Sequence, residues 1–76
     1  MSFNPFAPKY FRLDYLCLGD DEFIVFADSS LKNAIRRAKM TFEKPDMAEH
    51  NEFVGVTEIT KREYEELEKD QKLILL

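Results

Sequence analysis

The sequence predicts an α+β fold, a three- to four-stranded and mainly antiparallel sheet with one main helix packed on one face. Three observations lead to this prediction. Two β-favouring stretches flank a turn at residues 19–21, which indicates a hairpin. Residues 29–44 repeat apolar side chains at helical spacing, and residues 52–59 alternate like a third strand. The predicted order of elements is therefore β-β-α-β-α, with room for a last strand at the C-terminus.

The first strand is predicted over residues 9–18, because its side chains alternate between two faces and several are aromatic. One face would hold Phe11, Leu13, Tyr15 and Cys17, and the other Tyr10, Arg12, Asp14, Leu16 and Leu18. Gly19, Asp20 and Asp21 are turn-forming residues. The second strand, residues 22–27, is apolar on both sides and is therefore expected to be covered on both.

The main helix is predicted over residues 29–44 from a single apolar stripe. The stripe consists of Leu31, Ala34, Ile35, Ala38 and Phe42. Asp28, Ser29 and Ser30 offer side-chain oxygens to the first free backbone amides of the helix. Pro45 is expected to end the helix, since a proline cannot continue it.

A polar loop is predicted over residues 46–51, and the third strand follows at residues 52–59. This strand would place Phe53, Gly55, Thr57 and Ile59 on one face and Val54, Val56 and Glu58 on the other. Thr60 and Glu63 then stand at the spacing of a capping box. A second helix is therefore predicted from Lys61 to about Lys72.

The connection through the main helix should be right-handed, which places the third strand beside the first and gives the sheet order 2-1-3. The second helix has a narrow apolar stripe, Tyr64 and Leu67, so it is expected at the edge of the domain. Residues 1–76 are interpreted as one domain, with an extended arm at residues 1–8 and an apolar segment at residues 73–76. The sheet face away from the main helix would be covered by the arm, the apolar segment, a second copy or a partner.

Charge is distributed unevenly along the chain, whose net charge is −4. Residues 1–45 hold seven basic and six acidic side chains, whereas residues 46–76 hold four basic and nine acidic ones. Affinity for nucleic acid depends mainly on Lys and Arg side chains that neutralise phosphates. The acidic balance therefore disfavours a nucleic-acid binder and favours a protein that binds a basic surface of a larger protein.

The chain is expected to reside in the cytoplasm. Cys17 has no second cysteine to pair with and lies in an apolar run, so we interpret it as a buried thiol in a reducing compartment. Asn4, Pro5 and Pro8 stand where a signal peptide would have its apolar stretch. No run approaches the roughly 20 apolar residues that span a bilayer, so no membrane partner is expected.

No set of residues predicts a catalytic, metal or cofactor site, and a non-enzymatic role is expected. Four potential metal ligands fall within seven residues: Asp46, Glu49, His50 and Glu52. They lack a second histidine and the turn glycine of calcium loops. Cys17 and His50 are the ingredients of a thiol nucleophile and its base, but Cys17 lies in mid-strand without a helix N-terminus or a neighbouring cation to activate it.

Three surfaces are candidates for contact with another macromolecule. The leading hypothesis is a small inhibitor that binds a protein through its acidic side chains, Asp20, Asp21 and Glu22 at the hairpin tip and Glu63, Glu65, Glu66, Glu68 and Asp70 on the second helix. The alternative is a nucleic-acid-binding regulator that uses the basic face of the main helix, Lys32, Arg36, Arg37 and Lys39. The third hypothesis is a homodimer that forms through the second sheet face.

The hairpin leads through Ala27-Asp28-Ser29-Ser30-Leu31 into an Ala-containing helix, the third strand ends in Glu58-Ile59-Thr60, and an acidic helix follows with Tyr64-Glu65-Glu66-Leu67. This layout resembles that of small accessory proteins of bacteriophages, which include anti-CRISPR and anti-restriction inhibitors. Such proteins often bind one host enzyme or defence complex. The resemblance implies a partner of that kind and the host cytoplasm as the place of action, and it assigns a role to no particular residue.

Overall fold

The computed structural model of the chain describes residues 8–70. In chain order its elements are β1 (Lys9–Cys17), β2 (Asp20–Asp28), α1 (Leu31–Phe42), α2 (Pro45–Ala48), β3 (Asn51–Ile59) and α3 (Lys61–Glu68). The strands form one sheet in the order β2-β1-β3, and β1 is antiparallel to both neighbours. The α+β class and the strand order are therefore confirmed. Most of the predicted arm, residues 1–7, and the apolar segment at residues 73–76 lie outside the described residues.

The main helix forms where it was predicted but is shorter. The Ser30 hydroxyl accepts a hydrogen bond from the backbone N–H of Asn33 at 3.2 Å, which caps the first turn. The helix ends before Lys44, which is extended because it precedes Pro45. Pro45 then starts the single turn of α2, so the prediction of a loop over residues 46–51 was wrong for its first half.

The hydrophobic core lies between α1 and one face of the sheet. It contains Phe11, Leu13 and Tyr15 of β1, Ile24 and Phe26 of β2, and Ala34, Ala38 and Phe42 of α1. The two alanines let the helix approach the sheet closely, and the rings of Tyr15 and Phe42 meet at 5.1 Å. Cys17 is half-buried beside this core rather than inside it. The predicted facing of β1 and most of the α1 stripe are confirmed.

β3 departs from the predicted alternation because it contains a bulge. Tyr15 lies opposite Phe53 and Asp14 lies opposite Gly55, so Val54 is an extra residue on β3. The bulge turns the strand, and Phe53 and Val56 both pack against the core although they are three residues apart. The prediction that Val56 faces away from Phe53 was therefore wrong.

α3 begins with the predicted capping box. The Thr60 hydroxyl accepts from the N–H of Glu63, and the N–H of Thr60 donates to the Glu63 carboxylate. The ring of Tyr64 then packs at a tilt against that of Tyr10, a residue of the second sheet face, with ring centroids 4.7 Å apart. α3 thus covers part of that face beside β1 and β2, and none of its residues is buried, which agrees with its narrow apolar stripe and its predicted position at the edge of the domain.

Candidate protein-binding surface at the hairpin end

The hairpin turn consists of Leu18 and Gly19, which both have positive φ angles of 54° and 87°. Positive φ at both central residues is the pattern of a type I′ turn, in which Asn-Gly is strongly preferred. A leucine in this left-handed conformation is strained by roughly 1–2 kcal/mol. The turn therefore lies one residue earlier than predicted, and Asp20 and Asp21 belong to β2.

Leu18 is both exposed and held in place. Its side chain is 76% exposed, more than any other large apolar side chain of the described residues. Its backbone N–H donates to the carbonyl of His50 at 2.8 Å, which ties the turn to the segment before β3. The side-chain amide of Asn51 donates to the carbonyl of Met47, so the segment before β3 is itself held in place. The strained turn thus presents an apolar side chain to solvent from a rigid support.

Carboxylates surround this leucine. On the second sheet face, Leu16 lies between Asp21 on β2 and Glu52 on β3. Leu16 and Leu18 also line a cavity of about 250 Å³ together with Glu49 and Glu52. We call this surface the hairpin end and define it as Leu16, Leu18, Asp21, Glu49 and Glu52, together with Asp20, which directly follows the turn and pairs with Cys17 on the opposite face of the sheet.

The charge around the hairpin end has one sign. The residues towards this end of the sheet, 15–27 and 45–55, together contain six carboxylates and no Lys or Arg. Arg12 is the cation on the adjoining part of β1, but its Nε lies 2.9 Å from an oxygen of Asp14 and its guanidinium covers the ring of Phe23. Its charge is therefore already engaged, and the hairpin end carries a negative field.

The acidic residues of the hairpin tip and those of α3, which were predicted to form one contact surface, lie at opposite ends of the sheet. The hairpin end lies where β1 pairs through Cys17 with Asn51, whereas α3 starts at the other end of the sheet, near the pair Tyr10 and Ile59. Glu22 lies opposite Tyr15 on the core face, away from Asp21. Burial raises the pKa of the Tyr15 phenol, and the nearby negative charge of Glu22 raises that pKa further.

The acidic residues of α3 are partly used within the helix. Glu63 belongs to the capping box, and Glu66 lies 3.5 Å from Arg62. Glu65, Glu68 and Asp70 are exposed, but residues 61–70 also contain three cations. Burial raises the pKa of the Tyr64 phenol on the same helix, and Glu68 adds to this shift. The α3 face is therefore the weaker of the two acidic candidates.

The basic residues of α1 line a separate groove. Arg36 and Arg37, but not Lys32 and Lys39, line a cavity of about 640 Å³ on the side of the helix that faces β2. The other residues of its lining are Asp28, Asn33, Met40, Thr41 and Lys44. Arg37 is held by Asp28, at 3.6 Å, and donates to the carbonyl of Ala27. Met40 and Lys44 were not predicted, because neither lies in the row of cations that the sequence pattern singled out.

The leucines of the hairpin end were also not predicted as contact residues, and neither were Glu49, which follows α2, and Glu52 of β3. One signal was available: Leu-Gly occupies the place where a hairpin turn favours Asn-Gly. Among residues 8–70, no three His, Cys, Asp or Glu side chains are grouped so as to hold a metal ion. Over the same residues, no helix is both long and apolar enough to cross a membrane.

No protein-family model matches the chain, and comparison with curated proteins and with solved structures gave no match.

Proposed function

We propose that this chain is a small non-catalytic module that binds a basic surface of a larger protein, as a phage-type inhibitor of a host enzyme or defence complex. The observation that carries the proposal is Leu18, an exposed leucine held in a strained conformation and surrounded by carboxylates. Strain of this kind persists where the surrounding structure enforces it and is concentrated at functional positions.

The hairpin end has the two parts of a protein-binding surface. An apolar side chain on a rigid support loses little conformational entropy on binding and can act as an anchor in a pocket of the partner. The carboxylates around it, Asp20, Asp21, Glu49 and Glu52, would increase the rate of association with a basic partner and exclude acidic surfaces. Occupation of a basic site on an enzyme would keep an anionic substrate away from it, which is inhibition without catalysis.

The test is capture from bacterial lysate on the immobilised chain, followed by mass spectrometry. Two variants remove the surface: Leu18→Asn deletes the anchor and keeps a residue that tolerates positive φ, and Asp21→Lys reverses a charge. Two matched controls, Leu31→Gln and Glu65→Lys, make the same kinds of change on α1, outside the groove, and on α3. We expect at least one protein that the wild type and both controls retain and that both hairpin-end variants lose. Retention of the same proteins by all five chains would contradict the proposal.

A further inference from the structure

The groove beside α1, with a volume of about 640 Å³, carries the opposite charge to the hairpin end. Residues 32–44 hold five cations and a single carboxylate, Glu43. Met40 lies in the groove and is 61% exposed, so the cationic lining includes an apolar side chain. A groove of this kind fits an acidic protein segment that carries an apolar residue.

The chain itself presents such a segment. Leu18 is an exposed apolar side chain with Asp20 and Asp21 directly behind it on β2. The groove and the hairpin end share no residue. The N–H of Leu18 is bonded to the His50 carbonyl, and Leu18 lines a different cavity, with Leu16 and His50, rather than the groove. Any hairpin end that enters the groove therefore belongs to another molecule.

We propose that the α1 groove binds the hairpin end of a second copy, so that the chains associate head to tail. Leu18 contacts Met40, and the two aspartates face Arg36 and Lys44, the groove cations with no carboxylate partner among the described residues. Arg37 stays with Asp28 and shapes the wall of the groove. The volume of the groove, about 640 Å³, lies in the range of roughly 300–1,000 Å³ that is typical of protein pockets for small ligands.

Association of this kind joins two different surfaces, so it produces rings or open chains rather than a two-fold dimer. It also covers the hairpin end, and the inference rests on the same surface as the proposed function. Self-association would then withhold the hairpin end from its target at high concentration and release it on dilution. Because the contact is mostly between exposed charges, it should weaken strongly as salt is added.

Charge reversal tests the contact without any other protein. One variant reverses the hairpin end, Asp20→Lys with Asp21→Lys, and the other reverses the groove, Arg36→Glu with Lys44→Glu. Sedimentation velocity at low salt should show concentration-dependent association of the wild type and at least a tenfold weaker association of each variant alone. An equimolar mixture of the two variants should associate again, because each then offers a surface complementary to the other. Glu65→Lys serves as the control and should associate like the wild type.

Three results would overturn the inference. The first is a wild type that stays monomeric at every concentration. The second is association that both variants retain, which would place the contact elsewhere, for example on the second sheet face. The third is a mixture that fails to recover. If the wild type stays monomeric, its binding of oligonucleotides can be measured as well. Binding that the groove variant loses would then identify the groove as a nucleic-acid site instead. Lysate capture is independent of all these outcomes, so failure of the self-association leaves the proposed function intact.

Discussion

The core face of the sheet and the hairpin end differ in burial and in how well their residue types fit their positions. On the core face, Phe11, Leu13 and Ala38 are fully buried, and each has the residue type that its place in a strand or helix favours. At the hairpin end, a leucine occupies a turn position that favours asparagine and projects into solvent among carboxylates. The comparison indicates that stability is concentrated on the core face, whereas the hairpin end contributes little to it and is the surface for which we propose a role in recognition. Substitutions should therefore affect the two properties separately.

The largest expected effect is on the core face. Phe11→Ala leaves a cavity under α1 and should lower the free energy of unfolding by about 3–5 kcal/mol, much of the stability of a domain of this size. Urea unfolding followed by circular dichroism measures the loss. Leu18→Ala is the matched truncation at the hairpin end and should change the free energy of unfolding by less than about 1 kcal/mol. Equal losses from the two truncations would remove the distinction between the regions.

Leu18→Asn should stabilise the fold while it removes the proposed anchor. Asn-Gly is the preferred pair for this turn, and relief of the strain should raise the free energy of unfolding by about 1 kcal/mol. In a domain of this size the melting temperature would rise by roughly 4–8 °C. Thermal unfolding measures it, with Met40→Gln as the control that should change little. A lower melting temperature for Leu18→Asn would show that Leu18 contributes to packing and would weaken its interpretation as a recognition residue.

Alkaline pH should lower the free energy of unfolding through Tyr15 on the core face. Burial and the negative charge of Glu22 raise the pKa of Tyr15 above 10.0, so the folded chain holds this proton more tightly than the unfolded chain does. The resulting stability is fully present below pH 10 and is lost as the pH rises from the unfolded pKa through the folded one. Tyr15→Phe should make the free energy of unfolding fall less steeply above pH 10, which urea titrations at several pH values will show. A variant with the same alkaline slope as the wild type would exclude this cause.

The smallest effect concerns the carboxylates of the hairpin end. Asp21 and Glu52 lie on either side of Leu16, and Asp21→Asn should relieve repulsion worth a few tenths of a kcal/mol at low salt. The gain should vanish at high salt, where these charges are screened. Urea unfolding at two salt concentrations tests this, with Glu65→Gln on α3 as the control. A gain that persists at high salt would point to a cause other than charge.

Much of the fold follows from local rules that the sequence displays directly. Period-two alternation in β1, the apolar stripe of α1, and the Thr60 and Glu63 capping box each depend on residues a few positions apart. A right-handed connection from β2 through α1 to β3 then made the order β2-β1-β3 the simplest arrangement. The acidic balance of the chain was equally visible, because net charge does not depend on the fold.

The candidate site was decided by contacts between residues far apart in the chain. The bulge at Val54 arises from the pairing of β3 with β1, and it brings Val56 to the core. The same pairing places Glu52 beside Leu16, while the bond from Leu18 to His50 fixes the exposed turn. The sequence therefore determined the elements and the charge of this protein. Only the tertiary structure decided which carboxylates surround Leu18, because strand register and loop contacts are set by the packing of the whole domain.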